Sequence, residues 1–504
     1  MRSLNPKTDP LSPTTSFSQL RKVSLRGGVV TIIAQSCKLI LQLVSTAILA
    51  RLLGPEEYGL IAMALAVTSF VNLFKDLGLS TATIQQDTIS HQQISNLFWL
   101  NALAGMLVAI LTCALAPALA IFYGESRLTA IMIALALGFL ISGFAVQHQA
   151  LMRRQMRFVA LAAIDVGSML VAILVAVLMA VSGWGYWALV LQMICQNVVY
   201  LGMLWWLARW WPDRPRRNAG IRSLLVYGGN LTGFEILAHI GRSVTPILLG
   251  RYYGPEQVGY FGRAYNLLLI PYSQITGALN TVVVPALSRC TSDPVHYRHV
   301  VSSLLEKILI VSLPLLIPLI VAADWVVLIF LGQRWMNVAP VFSWLGLYVF
   351  GHPVAVVAVW ILMTQGRADV LFRWGILDTA LVILATLVGI KAGAVGIAAA
   401  FALVSLFVRL PILVLAVDRY SFVKARDMIR SSGSYLLLGV FLYLCLVLTK
   451  PWLQHLLTPY PWQGLCFLVT ISCVIFFALA WAIPSQRKTF LSLYHLLRSL
   501  RPGE

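Results

Sequence analysis

Gln35, Lys38, Gln42 and Ser45 stand at intervals of three, four and three inside the first long apolar stretch of the sequence, a spacing that stacks them on one helical face. Glu235, His239, Arg242 and Thr245 or Pro246 repeat that stripe 200 residues later, with Glu235 in the place of Gln35 and Arg242 in the place of Gln42. Lys75, beside Asn72 and Asp76, and Arg263, followed by Asn266 and Gln274, add to the polar set. An ionised side chain at the centre of an apolar span costs roughly 2.5–3.5 kcal/mol on insertion scales, so such residues are functional candidates by default. Cations gathered in a cavity suit an anionic ligand, and the planar fork of arginine matches phosphate or carboxylate oxygens. Plain structural roles compete. Lys75 and Arg263 lie near span ends, where they can snorkel, and Glu235 can simply neutralise Arg242. Asp165, Asp378 and Arg409 are single charges in other spans, for which structural pairing is an equal account.

The elements that must carry these residues are membrane-spanning helices. Of 504 residues, 59% are hydrophobic and 11% charged, with a mean hydropathy of +0.84. Such a chain has a bilayer as its solvent. Apolar segments sufficient to cross about 30 Å of hydrocarbon run near 29–50, 58–79, 95–122, 128–149, 158–181 and 185–208, and again near 224–250, 258–285, 304–323, 338–363, 371–390 and 394–417. Two more, near 434–448 and 462–483, bring the expected total to about fourteen. The net charge of +19 is spread between spans and sets orientation; no nucleic-acid partner is expected. Lys and Arg crowd alternate connections, such as Arg153, Arg154 and Arg157, or Arg214, Arg216 and Arg217, against isolated Arg51, Arg127 and Arg251 in the others. Both termini are therefore expected in the cytoplasm. No apolar segment precedes Val29, so no cleaved leader is expected. The seven cysteines lack metal or disulfide spacing and are expected to be buried thiols. Trp99, Trp184, Trp187, Trp205, Trp206, Trp210, Trp211, Trp452 and Trp462 fall near span ends, as an interfacial belt would.

An internal repeat organises the spans. Arg51-Leu-Leu-Gly-Pro-Glu-Glu-Tyr-Gly59 recurs as Arg251-Tyr-Tyr-Gly-Pro-Glu-Gln-Val-Gly259, five identities in nine positions, after the first span and after the seventh. Gly-Pro makes the sharp turn and Glu enters the first turn of the next helix, where the helix dipole favours an anion. Six crossings per half is an even number, so the halves insert the same way up and enclose a central cavity. The expected layout is a cytoplasmic segment 1–28, an N-lobe 29–208, a cytoplasmic linker 209–223, a C-lobe 224–417, a cytoplasmic loop 418–433, a final helix pair 434–483 and a cytoplasmic tail 484–504. Interior prolines at Pro246, Pro271, Pro314, Pro318, Pro353 and Pro411 allow kinks that shape the bundle or bend during transport.

The run Ala50-Arg-Leu-Leu-Gly-Pro-Glu-Glu-Tyr-Gly-Leu-Ile-Ala-Met63, following a polar-faced helix, resembles the polysaccharide transporter branch of the multidrug/oligosaccharidyl-lipid/polysaccharide exporter superfamily, and most closely the colanic-acid-type subgroup of the Wzx-type flippases. The resemblance covers most of the chain. It implies a flippase that moves an undecaprenyl-pyrophosphate-linked oligosaccharide from the cytoplasmic to the periplasmic leaflet of the bacterial inner membrane, for exopolysaccharide, O-antigen or teichuronic-type polymers. It further implies a cationic cavity for pyrophosphate and glycan, a polyprenyl tail left in the bilayer, and a functional link to a polysaccharide polymerase and chain-length machinery. In a related peptidoglycan-precursor flippase, two extra C-terminal helices form a lipid groove, and the last pair here is a candidate for the same role.

The candidate cavity residues are thus Gln35, Lys38, Gln42, Lys75, Glu235, His239, Arg242 and Arg263. No catalytic residue, metal or cofactor is expected. The chain lacks GxxxxGK[ST], HExxH and GxSxG patterns and any enzyme-sized soluble segment, so transport would be coupled to a Na+ or proton gradient, the membrane potential or the substrate gradient. The alternatives are an ion-coupled exporter of small molecules and, from another class, a membrane glycosyltransferase or polymerase, which would need a large external loop with catalytic acids.

Overall fold

The computed structural model describes residues 17–72, 83, 89–216, 241, 243–457, 461–483, 486, 487, 489 and 490. It divides into two compact units, residues 1–259 and 260–504. Among the described residues the secondary structure is helical throughout. Ten segments there are long and apolar enough to cross a membrane, and one of them, Ala368–Tyr420, doubles back on itself. The chain is an all-α polytopic membrane protein.

In the first unit, α1 (Phe17–Leu52), α2 (Pro55–Asn72), α3 (His91–Tyr123), α4 (Arg127–Arg154), α5 (Phe158–Val181) and α6 (Trp187–Ala208) follow the expected spans. Helix α5 shows why the apolar pattern looks unbroken. Its inner stripe is Ile164, Ser168, Ala172, Ala176 and Ala180, and its outer stripe is Leu170, Leu174 and Leu178. Small residues let backbones approach while large ones meet lipid, the reverse of a soluble helix.

In the second unit, α7 (Pro255–Arg289) is followed by α8 (Pro294–Val321), the short α9 (Ala323–Phe330), α10 (Val338–Thr364), α11 (Ala368–Gly389), α12 (Gly393–Val404), α13 (Leu410–Tyr420), α14 (Ala425–Leu457) and α15 (Pro461–Ala482). The first residues of α7 still belong to the first unit. The backbones of Gly389 and Gly396 touch where α11 turns into α12, leaving no room for a β-carbon at either. Pro318 has no N–H to give the carbonyl of Pro314 one turn earlier. Ser472 of α15 donates to that carbonyl at 2.8 Å instead, so the proline is accommodated by a neighbour.

Two sequence expectations need correction. None of the cysteines is buried: Cys37 and Cys466 are exposed and the other five half-buried, because these spans turn much of their apolar surface to lipid rather than to a core. Trp205 and Trp210 do not belong to an interfacial belt. Trp210 is buried against Phe98 and His148, and Trp205 stacks on His148 at 4.5 Å. Of the other belt members, Trp99, Trp184, Trp206, Trp211, Trp452 and Trp462 are exposed and Trp187 is half-buried.

The repeat extends beyond its sequence signature. Gln155-Met156-Arg157 and Gln365-Gly366-Arg367 make the same turn 210 residues apart. The middle residue is left-handed in both (φ 55° and 70°), and the arginine that starts the next helix has φ/ψ of −80°/51° in one and −86°/53° in the other. Arg157 donates to the carbonyl of Leu207 at 2.9 Å, and Arg367 to that of Tyr420 at 3.1 Å. Each arginine thereby ties a helix start to the end of the following hairpin.

Candidate functional site: two intramembrane charge pairs

Lys38 of α1 reaches Asp165 of α5, with Nζ 3.2 Å from Oδ2. Helices α1 and α5 pack together, and Gln192 of α6 donates to Ser45 one face further along α1 at 3.4 Å. The pairing removes the cost of leaving either charge alone in an apolar layer. Both side chains stay about two-fifths accessible, at 42% and 38%, and Gln35 and Gln42 on the same helix are exposed. Packing thus takes up Ser45 of the α1 stripe and leaves Gln35 and Gln42 exposed.

The second unit holds a stronger pair. Arg409 gives Nε to Asp378 Oδ1 at 2.7 Å and Nη2 to Oδ2 at 2.9 Å, a two-pronged arrangement, while Nη1 donates to Ser405 Oγ at 2.7 Å. Ser405–Arg409 form a π-helical turn between α12 and α13, a local irregularity often found at functional sites. The guanidinium also lies over the Phe401 ring at 5.2 Å, and Phe401 meets Tyr348 edge to face. Tyr348 and His352 share a hydrogen bond of 2.9 Å one turn apart on α10. Tyr348, His352, Asp378, Ser405 and Arg409 line a cavity of about 470 Å³ together with Asn280, Trp360 and Trp374. Its size falls in the range of ligand pockets, its walls are mostly apolar, and its polar groups converge on one charge pair.

Asp165 and Asp378 occupy equivalent helices, each the one that follows a Gln-X-Arg turn. The partner differs, a lysine from the first helix in one unit and an arginine from the π-helical turn between α12 and α13 in the other. In the sequence both aspartates and Arg409 are single charges for which structural pairing is at least an equal account, and the structure pairs all three. The signal that could have promoted them was the repeated Gln-X-Arg tripeptide, which marks the two helices as counterparts.

Of the other candidates, Arg263 is half-buried on α7. Lys75, Glu235, His239 and Arg242 lie outside the described residues. The Gly-Pro-Glu turn has the structural form expected of it. Gly54 N–H donates to the Glu57 carboxylate at 2.8 Å, and Arg127 joins Glu56 at 2.6 Å to Glu125 at 2.9 Å. The two copies of the turn also meet: Gly59 packs on the backbone of Pro255, and Gly259 on that of Pro55.

Comparisons with known proteins agree with this architecture. Residues 48–340 match the family model described as polysaccharide biosynthesis protein, and the chain belongs to that family. It is 26% identical over 372 residues to the teichuronic acid biosynthesis protein TuaB of Bacillus subtilis (strain 168), covering 70% of this chain and 74% of the relative. It is 25% identical over 398 residues to the lipopolysaccharide biosynthesis protein WzxC of Escherichia coli (strain K12), covering 77% and 79%. Among solved structures, the lipid II flippase MurJ in an inward closed conformation superposes with a TM-score of 0.71 at 13% identity over 91% of this chain and 99% of that one. An inward-facing multidrug transporter of the MATE family gives 0.55 at 14% identity over 81% and 98%. These two likenesses establish the fold.

Proposed function

We propose that this protein is a flippase that carries polyprenyl-pyrophosphate-linked oligosaccharide, with undecaprenol as the lipid, across the bacterial inner membrane by alternating access. The observation that carries the reading is the accessible Lys38–Asp165 pair on the polar stripe of α1, in a membrane protein of the polysaccharide biosynthesis family. A transporter must offer an anionic headgroup a cation that is stable when the site is empty, and a carboxylate partner that can be exchanged for phosphate meets that need. Lys38, Arg242 and Arg263 contact the pyrophosphate or acidic sugars. Gln35, Gln42 and His239 add hydrogen bonds, Lys75 adds charge near a span end, and Glu235 balances the cations or holds the coupling ion.

In this reading the polyprenyl chain stays in the bilayer and the chain catalyses no covalent step. A Na+ or proton gradient, or the membrane potential, drives the cycle. Both termini face the cytoplasm, and the emerging repeat unit passes to a polymerase with its chain-length machinery. The relatives' roles in teichuronic acid and lipopolysaccharide biosynthesis support this substrate class. The purified protein in liposomes should make a fluorescent polyprenyl-pyrophosphate oligosaccharide accessible to a membrane-impermeant quencher from the second leaflet. Export of small organic cations with no lipid movement would place the protein among drug transporters instead.

A further inference from the structure

A recess of about 580 Å³ opens between the beginnings of α8 and α14 and shares no lining residue with the cavity at Arg409 and Asp378. Arg298 and His299 line it from α8, and Arg430 and Ser434 from α14. Its two acids are hydrogen-bonded within the protein and keep their charge: Glu306 accepts from the Thr489 hydroxyl at 2.5 Å, and Asp427 accepts from the Lys424 N–H at 3.2 Å. Arg298 spends Nε on the carbonyl of Phe422 at 2.6 Å, which fixes the guanidinium and leaves its Nη groups over. Arg430 and His299 have no hydrogen-bond or ion-pair partner among the described residues and are exposed.

The position of the recess along the helices identifies what meets it. From Ser431 to Thr449, α14 carries no charged residue, a length of chain that fills the hydrocarbon layer, so Arg430 stands at its edge. On α8 the uncharged stretch begins after Lys307, and Arg298 lies more than two turns before it. The recess is therefore at headgroup depth. Further into the layer α14 presents Leu437, Phe441 and Leu444, all more than half exposed, a stripe that acyl chains would cover.

We propose that this recess binds the phosphate of an anionic phospholipid such as phosphatidylglycerol or cardiolipin, with the acyl chains laid along α14. Basic pockets between transmembrane helices on the cytoplasmic side take such headgroups, and the arginine-rich loops place this end of α8 and α14 on that side. The site is independent of the transported lipid. Its ligand is a structural or regulatory component of the membrane around it.

The test is native mass spectrometry of the full-length protein titrated with phosphatidylglycerol, phosphatidylcholine and inorganic phosphate. Phosphatidylglycerol should be retained well above phosphatidylcholine, and phosphate at equal concentration should not compete with it. The double substitution Arg298→Gln/Arg430→Gln should weaken phosphatidylglycerol retention about thirtyfold, roughly fivefold for each arginine near the surface. Arg298→Lys/Arg430→Lys should recover most of it, showing that the Gln variant had not merely misfolded. Arg214→Gln/Arg216→Gln removes the same charge from the exposed linker and should leave retention unchanged. Equal loss in the linker variant, full retention in the Arg298→Gln/Arg430→Gln variant, or displacement by phosphate alone would each overturn the assignment.

Discussion

The carbonyl of Pro255 stands where a β-carbon of Gly59 would have to be, and the carbonyl of Pro55 stands in the same relation to Gly259. The two copies of the Gly-Pro-Glu repeat are thus not only equivalent but reciprocal, each glycine receiving the first turn of the other's helix. That relation explains why the glycine ending the motif is among the five residues shared by both copies.

Gly59→Ala should therefore be costly out of proportion to one methyl group. Backbone cannot yield as a flexible side chain does, so overpacking of about 1–3 kcal/mol is expected, with a lower unfolding temperature and a smaller folded yield in detergent. Gly202→Ala in α6 is the control, since nothing lies within 4 Å of a β-carbon there and alanine is the better helix former. Equal melting of both variants would show that the turns do not pack this closely.

The Arg409–Asp378 pair should behave as a unit. Its side chains are only 15% and 28% accessible, so removing one partner strands a charge in an apolar setting. Arg409→Gln or Asp378→Asn alone should cost about 3–5 kcal/mol, and the double substitution much less than the sum. A thermal double-mutant cycle measures this directly. Additive losses would mean that the two side chains act separately.

Ser472→Ala should destabilise by about 1–2 kcal/mol, because it leaves the carbonyl freed by Pro318 buried and without a donor. Thr470→Ala, which loses only a bond from an exposed hydroxyl to its own helix, should stay within about 0.5 kcal/mol of the parent. Unfolding temperatures of the two variants in one detergent decide the matter.

The linker is expected to be held rather than loose. Asn96 accepts from the N–H of Arg216 at 3.0 Å and donates to its carbonyl at 2.6 Å, while Trp99 donates to the carbonyl of Asp213 at 2.8 Å. A protease must take the backbone at Arg216 into its own site. Asn96→Ala should thus speed tryptic cleavage after Arg216 about tenfold or more, a factor equivalent to two modest hydrogen bonds. Unchanged digestion would mean the strap is not formed in solution.

How much of this was legible in the sequence depended on the length scale of the signal. Helices were readable because twenty consecutive apolar residues have few other uses, and the end of α5 at Val181 coincides with the expected one. The repeat was readable where Gly, Pro and Glu are each demanded by a turn, and invisible at Met156 and Gly366, where two different residues satisfy one left-handed backbone. Charge pairs were out of reach for a different reason. Asp165 lies 127 positions from Lys38, and a single sequence carries no sign that the two helices are neighbours. The burial of Trp210 was hidden likewise, since an aromatic residue near a span end suits an interface and a buried aromatic cluster equally well.

The most direct test of the central claim is lipid translocation by liposomes containing the parent protein, Lys38→Ala or Lys38→Arg, scored as quencher-accessible fluorescent polyprenyl-pyrophosphate oligosaccharide. A cation that exchanges Asp165 for pyrophosphate should make the parent active, Lys38→Arg partly active, and Lys38→Ala at least tenfold slower with its folded yield intact, a loss of about 1.4 kcal/mol or more. Undiminished movement by folded Lys38→Ala would contradict the role given to this pair, and no movement by the parent would contradict the function itself.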